Sequence, residues 1–413
     1  MEERVKRFTL TNGVRVLAEP VSTVRSAACG IWVAAGSSHE PEHHSGVAHV
    51  IEHMMFKGTP ARNAQQIARE IEGRGGSLNA GTGREVTGYY AHTLSEHLTD
   101  AFDVLADMFA NALYDPEELA REKGVILEEM KMYEDSPADA VHDLFAETHW
   151  PDDPFGRRII GTPDTVSPLS REDLLAFMEN QYAPESVVIT ASGNLDPDQF
   201  AEDVEKRLGS WKPGATALQA DRPSVAGTGE QKIVHRDVEQ VSFCMGCDAP
   251  SELDERKYDL AILANILGGS MFSRLWTEIR ERRGLAYEVG AYTLTGAHKG
   301  ALVIYGGCAT DCFAEVKRLV QAELDNIAAQ PVSESELDDA KNLLKGALLI
   351  GLESTPARMS RLGRLELIYG RTIPMEEIVQ RIDAVTPESL HALASEILSP
   401  SKLTLTAIVP NGS

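Results

Sequence analysis

The segment Ser-Gly-Val-Ala-His-Val-Ile-Glu-His-Met-Met-Phe, residues 45–56, places His49, Glu52 and His53 among apolar residues. Its periodicity predicts a buried amphipathic helix over about 46–56. Positions four apart share one face of a helix, so His49 and His53 point the same way, as two ligands of one metal ion must. Glu52 lies near enough to that face to reach a water on the metal. The spacing alone also fits a chance pair of core or surface histidines.

A second helix, predicted over 116–134, offers carboxylates for a third ligand. Glu122 and Glu129 are seven positions apart and therefore share a helix face. Val125 and Met132 add an apolar stripe beside them, from which we predict that this face is turned inwards. Inward carboxylates need a cation or hydrogen-bond donors, whereas most charged helices are simply solvated.

Length and composition indicate a globular chain of two or more domains. The 413 residues exceed what one ordinary core organises, and their hydrophobic and charged fractions, 43% and 25%, are average. The net charge of −24 argues against a nucleic-acid partner, because nothing would neutralise a phosphate backbone. No apolar run is long enough to span a membrane, and the charged start is unlike a signal or transit peptide. We therefore expect a cytoplasmic protein without a membrane partner.

The first half of the chain alternates strands and helices. Strands are predicted at 13–17, 28–34, 86–91 and 187–191, and helices at 46–56, 63–74, 95–112, 116–134 and 170–181. Residues 213–230 are rich in Pro, Gly, Ser and Thr and are predicted to form a linker. It separates an N-terminal domain, 1–212, from a C-terminal domain, 231–413.

The two halves also resemble each other. Residues 70–76 recur as residues 278–284, with Glu, Ile, Arg and Gly at matching places. Residues 134–138 match 353–357, and each of these segments follows a long predicted helix. We therefore predict a duplicated α+β unit.

The cysteines are not expected to hold a metal. Cys244 and Cys247 lie in a predicted strand, where residues three apart face opposite sides of the sheet. The odd total of five suits reduced thiols.

The motif His49-x-x-Glu52-His53, followed by a distant glutamate, resembles the inverted signature of the pitrilysin/insulinase family of zinc metallopeptidases. The resemblance implies three zinc ligands, His49, His53 and Glu129. It implies that Glu52 is the catalytic base and that Glu122 steadies a ligand histidine. Glu128 is the alternative to Glu129 as the third ligand, but Glu129 is favoured because its spacing places it on the same helix face as Glu122. The similarity covers nearly the whole chain and is closest to mitochondrial processing peptidase subunits and their bacterial relatives.

The resemblance also implies residues that contact a peptide. Arg280 and Tyr287 match an arginine and a tyrosine that reach the bound peptide. Structural alternatives are a cation on a helix surface for Arg280 and a core position for Tyr287. Ser77, Asn79 and Ala80 match the edge strand that binds substrate by β-augmentation, although an ordinary Gly-rich turn also fits.

The second copy lacks the metal ligands. Aligning the copies puts Lys257, Leu260, Ala261 and Leu348 opposite His49, Glu52, His53 and Glu129. We therefore predict one Zn²⁺ per chain.

The resemblance implies an α+β fold of two homologous α/β-roll domains, each an antiparallel sheet packed with helices, that form half of a peptidase chamber. It implies a homodimer in which Arg280 and Tyr287 serve the zinc of the other chain. The expected activity is zinc-dependent endopeptidase action on peptides or unfolded segments, with Glu52 as general base. One alternative is a noncatalytic peptide-binding or scaffold member of this fold, which the intact ligands disfavour. Another alternative is an unrelated enzyme that uses a His/Glu metal pair. The resemblance to the family disfavours it, because the resemblance also covers the second half of the chain, which such an enzyme need not have.

Overall fold

Two β-sheets organise the residues that the structure, a computed structural model, describes: 5–211 and 226–412. The strands are β1 (Lys6–Thr9), β2 (Arg15–Pro20), β3 (Ser26–Val33), β4 (Ser77–Thr82), β5 (Thr87–Leu94), β6 (Val187–Gly193), β7 (Gln231–Arg236), β8 (Val241–Asp248), β9 (Ala286–Thr295), β10 (Gly300–Cys308) and β11 (Thr404–Pro410). The helices are α1 (Val47–Met55), α2 (Ala64–Glu72), α3 (Leu98–Asn111), α4 (Pro116–Glu134), α5 (Pro137–His149), α6 (Pro163–Val166), α7 (Arg171–Gln181), α8 (Pro197–Leu208), α9 (Lys257–Gly268), α10 (Phe313–Ala329), α11 (Glu334–Gly351), α12 (Thr355–Tyr369), α13 (Met375–Asp383) and α14 (Pro387–Ile397).

The predicted strands and helices of the first half are all found, with ends shifted by a few residues. Local signals fix several of these ends. The side chain of Asn63 accepts a hydrogen bond from the Gln66 backbone, and the Gln66 side chain accepts one from the Asn63 backbone, each over 2.9 Å. This reciprocal cap starts α2. No helix among the described residues is long and apolar enough to cross a membrane.

The topology of the two sheets confirms the predicted duplication. The first sheet has the strand order β1-β2-β6-β3-β5-β4 and the second has β7-β11-β8-β10-β9. From β2 onwards the orders correspond strand for strand. In each sheet one pair is parallel, β2 with β6 and β7 with β11, and the other pairs are antiparallel. The fold is therefore the α+β class expected, present in two copies.

Each sheet buries both faces. In β3, Cys29 and Ile31 belong to the large core beneath α1 and α3, and the alternate residue Trp32 faces α12. In β8, Cys247 belongs to the large core of the second sheet and Cys244 to a smaller cluster beside α5. The two cysteines therefore lie on opposite faces, as predicted, and do not converge on a metal.

Two helices are exchanged between the halves of the chain. The first compact unit contains residues 5–130, 158–211 and 351–373, and the second contains 131–157, 226–350 and 374–412. Within these units α12 packs on β3 and β6, and α5 packs on the equivalent strands β8 and β11. This division differs from contiguous domains because each sheet takes one covering helix from the other half. Most of the predicted linker, 213–230, lies outside the described residues.

Candidate metal centre

The helix that carries the motif is fixed at its N-terminus by a buried carboxylate. Glu40 is 2% exposed and accepts hydrogen bonds from the backbone N–H of Gly46 and Ala48, at 2.7 and 2.8 Å. A carboxylate there satisfies amides that have no partner within the helix and complements the helix dipole. Gly46 has a φ of +95°, and a Cβ at this position would lie 2.7 Å from the Ile160 carbonyl oxygen. The start of α1, and with it the motif, is therefore held in one place.

Three side chains converge as the sequence predicts. One ligand atom from each of His49, His53 and Glu129 lies within 4.8 Å of the others. The His53 Nε2 is 3.6 Å from the Glu129 Oε2. A tetrahedral zinc ion, with ligand distances of about 2.0–2.2 Å, separates neighbouring ligand atoms by about 3.4 Å. Two imidazoles and one carboxylate at these separations fit zinc and leave its fourth position open.

His49 is prepared to be a neutral ligand. Burial, with a smaller contribution from the charge of His53, lowers the pKa of His49 to about 4. Its Nδ1 is buried and has no hydrogen-bond partner among the described residues. A buried polar atom left without a partner is costly. An unpaired nitrogen on this imidazole is therefore consistent with an ion or a water bound at the site.

The orientation of His53 is set by Glu122. The His53 Nδ1 is 3.1 Å from Glu122 Oε2, so Nδ1–H donates to the carboxylate and Nε2 keeps its lone pair for a metal. Lys57 Nζ lies 2.5 Å from Glu122 Oε1 and compensates this buried charge. Lys57 was missed by the sequence analysis. Its position four residues after His53, on the same helical side, was the available signal.

The helix α4 presents its glutamates differently from the prediction. Val125 and Met132 are 51% and 73% exposed, so the apolar stripe does not turn this face inwards. The buried face is formed instead by Glu122, Ile126 and Met130, at four-residue intervals. Glu129 borders that face and is half-buried, whereas Glu128 is exposed. Glu129 is therefore better placed than Glu128 to face the site, but its buried apolar neighbours on α4 are Ile126 and Met130, not the predicted Val125 and Met132.

Glu52 lies beside the ligands but outside the three-ligand group. Burial raises the pKa of its carboxyl, partly offset by hydrogen bonds from Thr82 and the nearby His53. The Thr82 hydroxyl donates to Glu52 Oε2 over 2.5 Å. Thr82 is a further residue that the sequence analysis missed. Strand alternation from Ala80 would have placed both side chains on one face.

The edge of the first sheet runs past this site. Strand β4 pairs only with β5, so its other edge carries backbone groups without a strand partner in the described sheet. Ser77 and Asn79 are exposed on one face, and Ala80 is half-buried on the other. The three predicted substrate residues therefore lie on an open edge strand, the arrangement that β-augmentation requires.

Arg280 and Tyr287 are brought together in the second unit. Arg280, in a π-helical turn over Trp276–Glu281, donates to the Tyr287 carbonyl over 2.5 Å. Its guanidinium also lies over the rings of Trp276 and Tyr287, 4.1 and 4.9 Å from the centroids. Tyr287 is 79% exposed and is therefore not a core residue.

Comparison with known proteins agrees with this geometry. The model of the insulinase family, peptidase family M16, matches residues 15–163, and the model of the peptidase M16 inactive domain matches residues 168–344. The chain is 39% identical over 409 residues to the "uncharacterized zinc protease YmxG" of Bacillus subtilis, covering 99% of each chain.

Two solved structures share the fold. A protease from Helicobacter pylori has a TM-score of 0.91 at 21% identity, covering 99% of this chain and 100% of that one. A chain of complex III2 from Candida albicans has a TM-score of 0.86 at 20% identity, covering 98% and 95%. The fold and the His/His/Glu site together define the class of protein as a metallopeptidase. The chain belongs to the pitrilysin/insulinase family of zinc metallopeptidases, peptidase family M16.

The second copy matches the description of an inactive domain. Lys257, Leu260 and Ala261 lie at the start of α9, the counterpart of α1, and Leu260 is 1% exposed. Within residues 5–211 and 226–412, His49, His53 and Glu129 form the one three-residue group spaced to hold a metal.

Proposed function

We propose that this chain is a zinc-dependent endopeptidase that hydrolyses peptides or unfolded polypeptide segments. The observation that carries the proposal is the convergence of His49, His53 and Glu129 beside a carboxylate, Glu52, that is not needed as a ligand. Two imidazoles and one carboxylate are the ligand set of a hydrolytic zinc site. We expect one zinc ion per chain.

Bound zinc supplies Lewis-acid chemistry, since it polarises the scissile carbonyl and lowers the pKa of water. Glu52 acts as the general base: its carboxylate accepts the proton of the attacking water and passes it to the leaving amine.

The substrate is an extended peptide laid along the open edge of β4. Ser77, Asn79 and Ala80 lie on that edge, where backbone hydrogen bonds give affinity without requiring a particular sequence. Peptides and unfolded segments can supply an extended backbone, whereas most backbone groups of a folded domain are already paired within that domain.

Arg280 and Tyr287 complete the proposal as donors to the peptide or to the developing oxyanion. Their contact in the second unit and the exposure of Tyr287 support a role towards a ligand. We extend the proposal to a homodimer in which this pair serves the zinc site of a second copy. Full activity in an obligately monomeric variant would contradict that extension.

A noncatalytic scaffold is the runner-up. The shared fold does not separate the two functions, because a chain of a complex III structure has it as well. The ligand set separates them, since a scaffold has no need of His49, His53 and Glu129 around one point.

The test combines metal analysis of the purified protein with cleavage of a quenched fluorescent peptide library. The expected result is one zinc per chain, cleavage by the wild type, and loss of cleavage with retention of zinc in Glu52→Gln. Full cleavage by Glu52→Gln would refute the mechanism. Zinc binding without any cleavage would favour the scaffold.

A further inference from the structure

Thr82 joins the edge strand to the general base. It is the last residue of β4, and its hydroxyl donates to Glu52 Oε2 over 2.5 Å. Hydrogen bonds to a charged acceptor are stronger than those between neutral groups. The hydrogen bond from the Thr82 hydroxyl therefore restricts the rotation of the Glu52 carboxylate.

The position of Thr82 is fixed by the turn that follows it. The carbonyl oxygen of Gly83 accepts a hydrogen bond from the Ser37 backbone at 3.1 Å. The carbonyl oxygen of Arg84 accepts one from the Ser38 backbone at 2.8 Å and one from the Ser38 hydroxyl at 2.6 Å. A glycine at position 36 permits this approach, since a Cβ there would lie 2.2 Å from the Gly83 oxygen. The β4–β5 hairpin is thus attached to the segment that precedes α1.

A general base works only within a narrow range of positions. Proton transfer needs a heavy-atom separation of about 2.6–3.2 Å, and a misplacement of about 1 Å can cost about 100-fold in rate. A glutamate has three side-chain torsions, so burial alone does not select one orientation of its carboxylate. The hydroxyl of Thr82 supplies that selection, and it comes from the strand proposed to bind the peptide.

We propose that Thr82 is a positioning residue whose hydroxyl orients the carboxylate of Glu52 towards a peptide bound along β4. The inference rests on the proposed function, since it concerns the base of that reaction. It acts on the rate of the catalytic step, and leaves zinc affinity and peptide affinity unchanged. The Thr82 side chain lies on the half-buried face of β4, opposite the exposed Ser77 and Asn79.

The experiment compares Thr82→Val with Thr82→Ser. Valine keeps the shape and the strand preference of threonine but removes the hydroxyl, and serine keeps the hydroxyl. Thr87→Val is the matched control, because Thr87 faces Thr82 across the hairpin and its hydroxyl donates to the Ala35 carbonyl at 2.8 Å rather than to Glu52. Zinc affinity, kcat and KM are measured for a peptide that the wild type cleaves.

The expected result is a kcat about 10- to 100-fold lower in Thr82→Val, the scale of one hydrogen bond to a charged group. KM and zinc affinity should remain at wild-type values, Thr82→Ser should restore most of kcat, and Thr87→Val should keep it. An unchanged kcat in Thr82→Val overturns the inference. An equal loss in Thr87→Val, a loss of zinc in Thr82→Val, or failure of serine to rescue also overturns it, because each indicates general loosening of the hairpin.

Failure of the proposed function has a different signature. If the wild type cleaves no peptide, or if Glu52→Gln cleaves fully, the peptidase mechanism is refuted and the role of Thr82 falls with it. Wild-type cleavage that depends on Glu52 but not on Thr82 refutes the positioning role alone.

Discussion

At the scale of single residues, the adjacent glutamates of α4 provide a matched pair. Glu129 lies 3.6 Å from His53 Nε2, whereas Glu128 is exposed on the same helix. We expect Glu129→Gln to weaken zinc binding by more than the roughly 10- to 100-fold that loss of an outer hydrogen-bonding partner costs. Glu128→Gln should bind zinc as the wild type does. Chelator competition measures both, and equal losses in the two variants would reject Glu129 as the ligand.

Glu122 should act through His53 rather than on the metal. Its carboxylate accepts the His53 Nδ1–H over 3.1 Å and so fixes the ring with Nε2 towards the ligand site. Glu122→Gln keeps the size of the side chain but weakens this hydrogen bond. We predict a fall in zinc affinity of about 10- to 100-fold with one zinc still bound at saturation. Complete loss of binding would mean that Glu122 is itself a ligand.

The residues that sequence reasoning found are those whose spacing carries the chemistry. His49, Glu52 and His53 share a helix face by periodicity, and resemblance to a family selected Glu129 and Glu122. Thr82 and Lys57 were not found. Spacing places Thr82 on the face of Ala80 and Lys57 four residues after His53, but it does not say that β4 ends beside Glu52 or that Glu122 lies beside Lys57. Those facts belong to tertiary structure, and a local pattern does not contain them.

At the scale of elements, Arg62 ties α2 to α3. Its guanidinium bonds Asp107 and Asp103 on α3 at 2.8 and 2.5 Å, and Glu70 on α2 at 3.0 Å. Arg62 and Asp107 are mostly buried, whereas the other two carboxylates are more exposed and contribute less. We expect Arg62→Met to destabilise the first unit by about 1.5–3 kcal/mol at neutral pH.

The destabilisation caused by Arg62→Met should decrease as the pH falls. Burial alone would raise the pKa of Asp107, but hydrogen bonds from Asn111, Thr59 and Arg62 outweigh it and hold the pKa below its ordinary value. Ionised Asp107 therefore stabilises the fold above about pH 4, and this contribution is lost as the pH falls through the lowered pKa. The difference between Arg62→Met and the wild type in urea midpoint should shrink below about pH 4.

The control for this prediction is an exposed ion pair between α3 and the turn that follows α2. Arg74 pairs with Asp100, and both side chains are largely exposed. Arg74→Met should shift the urea midpoint little at any pH, because exposed pairs contribute about 0–1 kcal/mol. Equal shifts in Arg62→Met and Arg74→Met would show that burial of the Arg62 network is irrelevant to stability.

At the scale of the whole molecule, the duplication was predictable and the exchange of helices was not. Matching residues before and after the linker indicated two copies, and the strand orders agree with them. Periodicity identifies a helical segment but does not say which sheet it covers. The predicted boundary after residue 212 therefore assigned α5 to the first half and α12 to the second, whereas each packs on the other half's sheet. The signal available was the Glu-x-x-Pro-Ala match at 134–138 and 353–357, which marks equivalent helices on equivalent strands.

The exchange predicts how the chain behaves when it is divided in the linker. In the first unit, Trp32 Nε1 donates to the Thr190 hydroxyl at 2.7 Å, and that hydroxyl donates to the Met359 carbonyl of α12 at 2.9 Å. The fully buried Glu366 of the same helix pairs with Arg7 and Arg15. A fragment of residues 1–211 lacks α12. It would expose the face of the first sheet that α12 covers, and Arg7 and Arg15 would lose the carboxylate of Glu366.

We therefore expect fragments 1–211 and 226–413 to be aggregated or unfolded when purified separately, and to form a stoichiometric, zinc-binding complex when coexpressed. Size-exclusion chromatography, circular dichroism and metal analysis test this. A control complex with Trp32→Ala in the first fragment should assemble poorly, since it loses the packing of this half-buried indole against Gly363 of α12 and the Nε1 hydrogen bond to Thr190. A monomeric 1–211 fragment that unfolds cooperatively and binds zinc would show that α12 is dispensable to the first sheet.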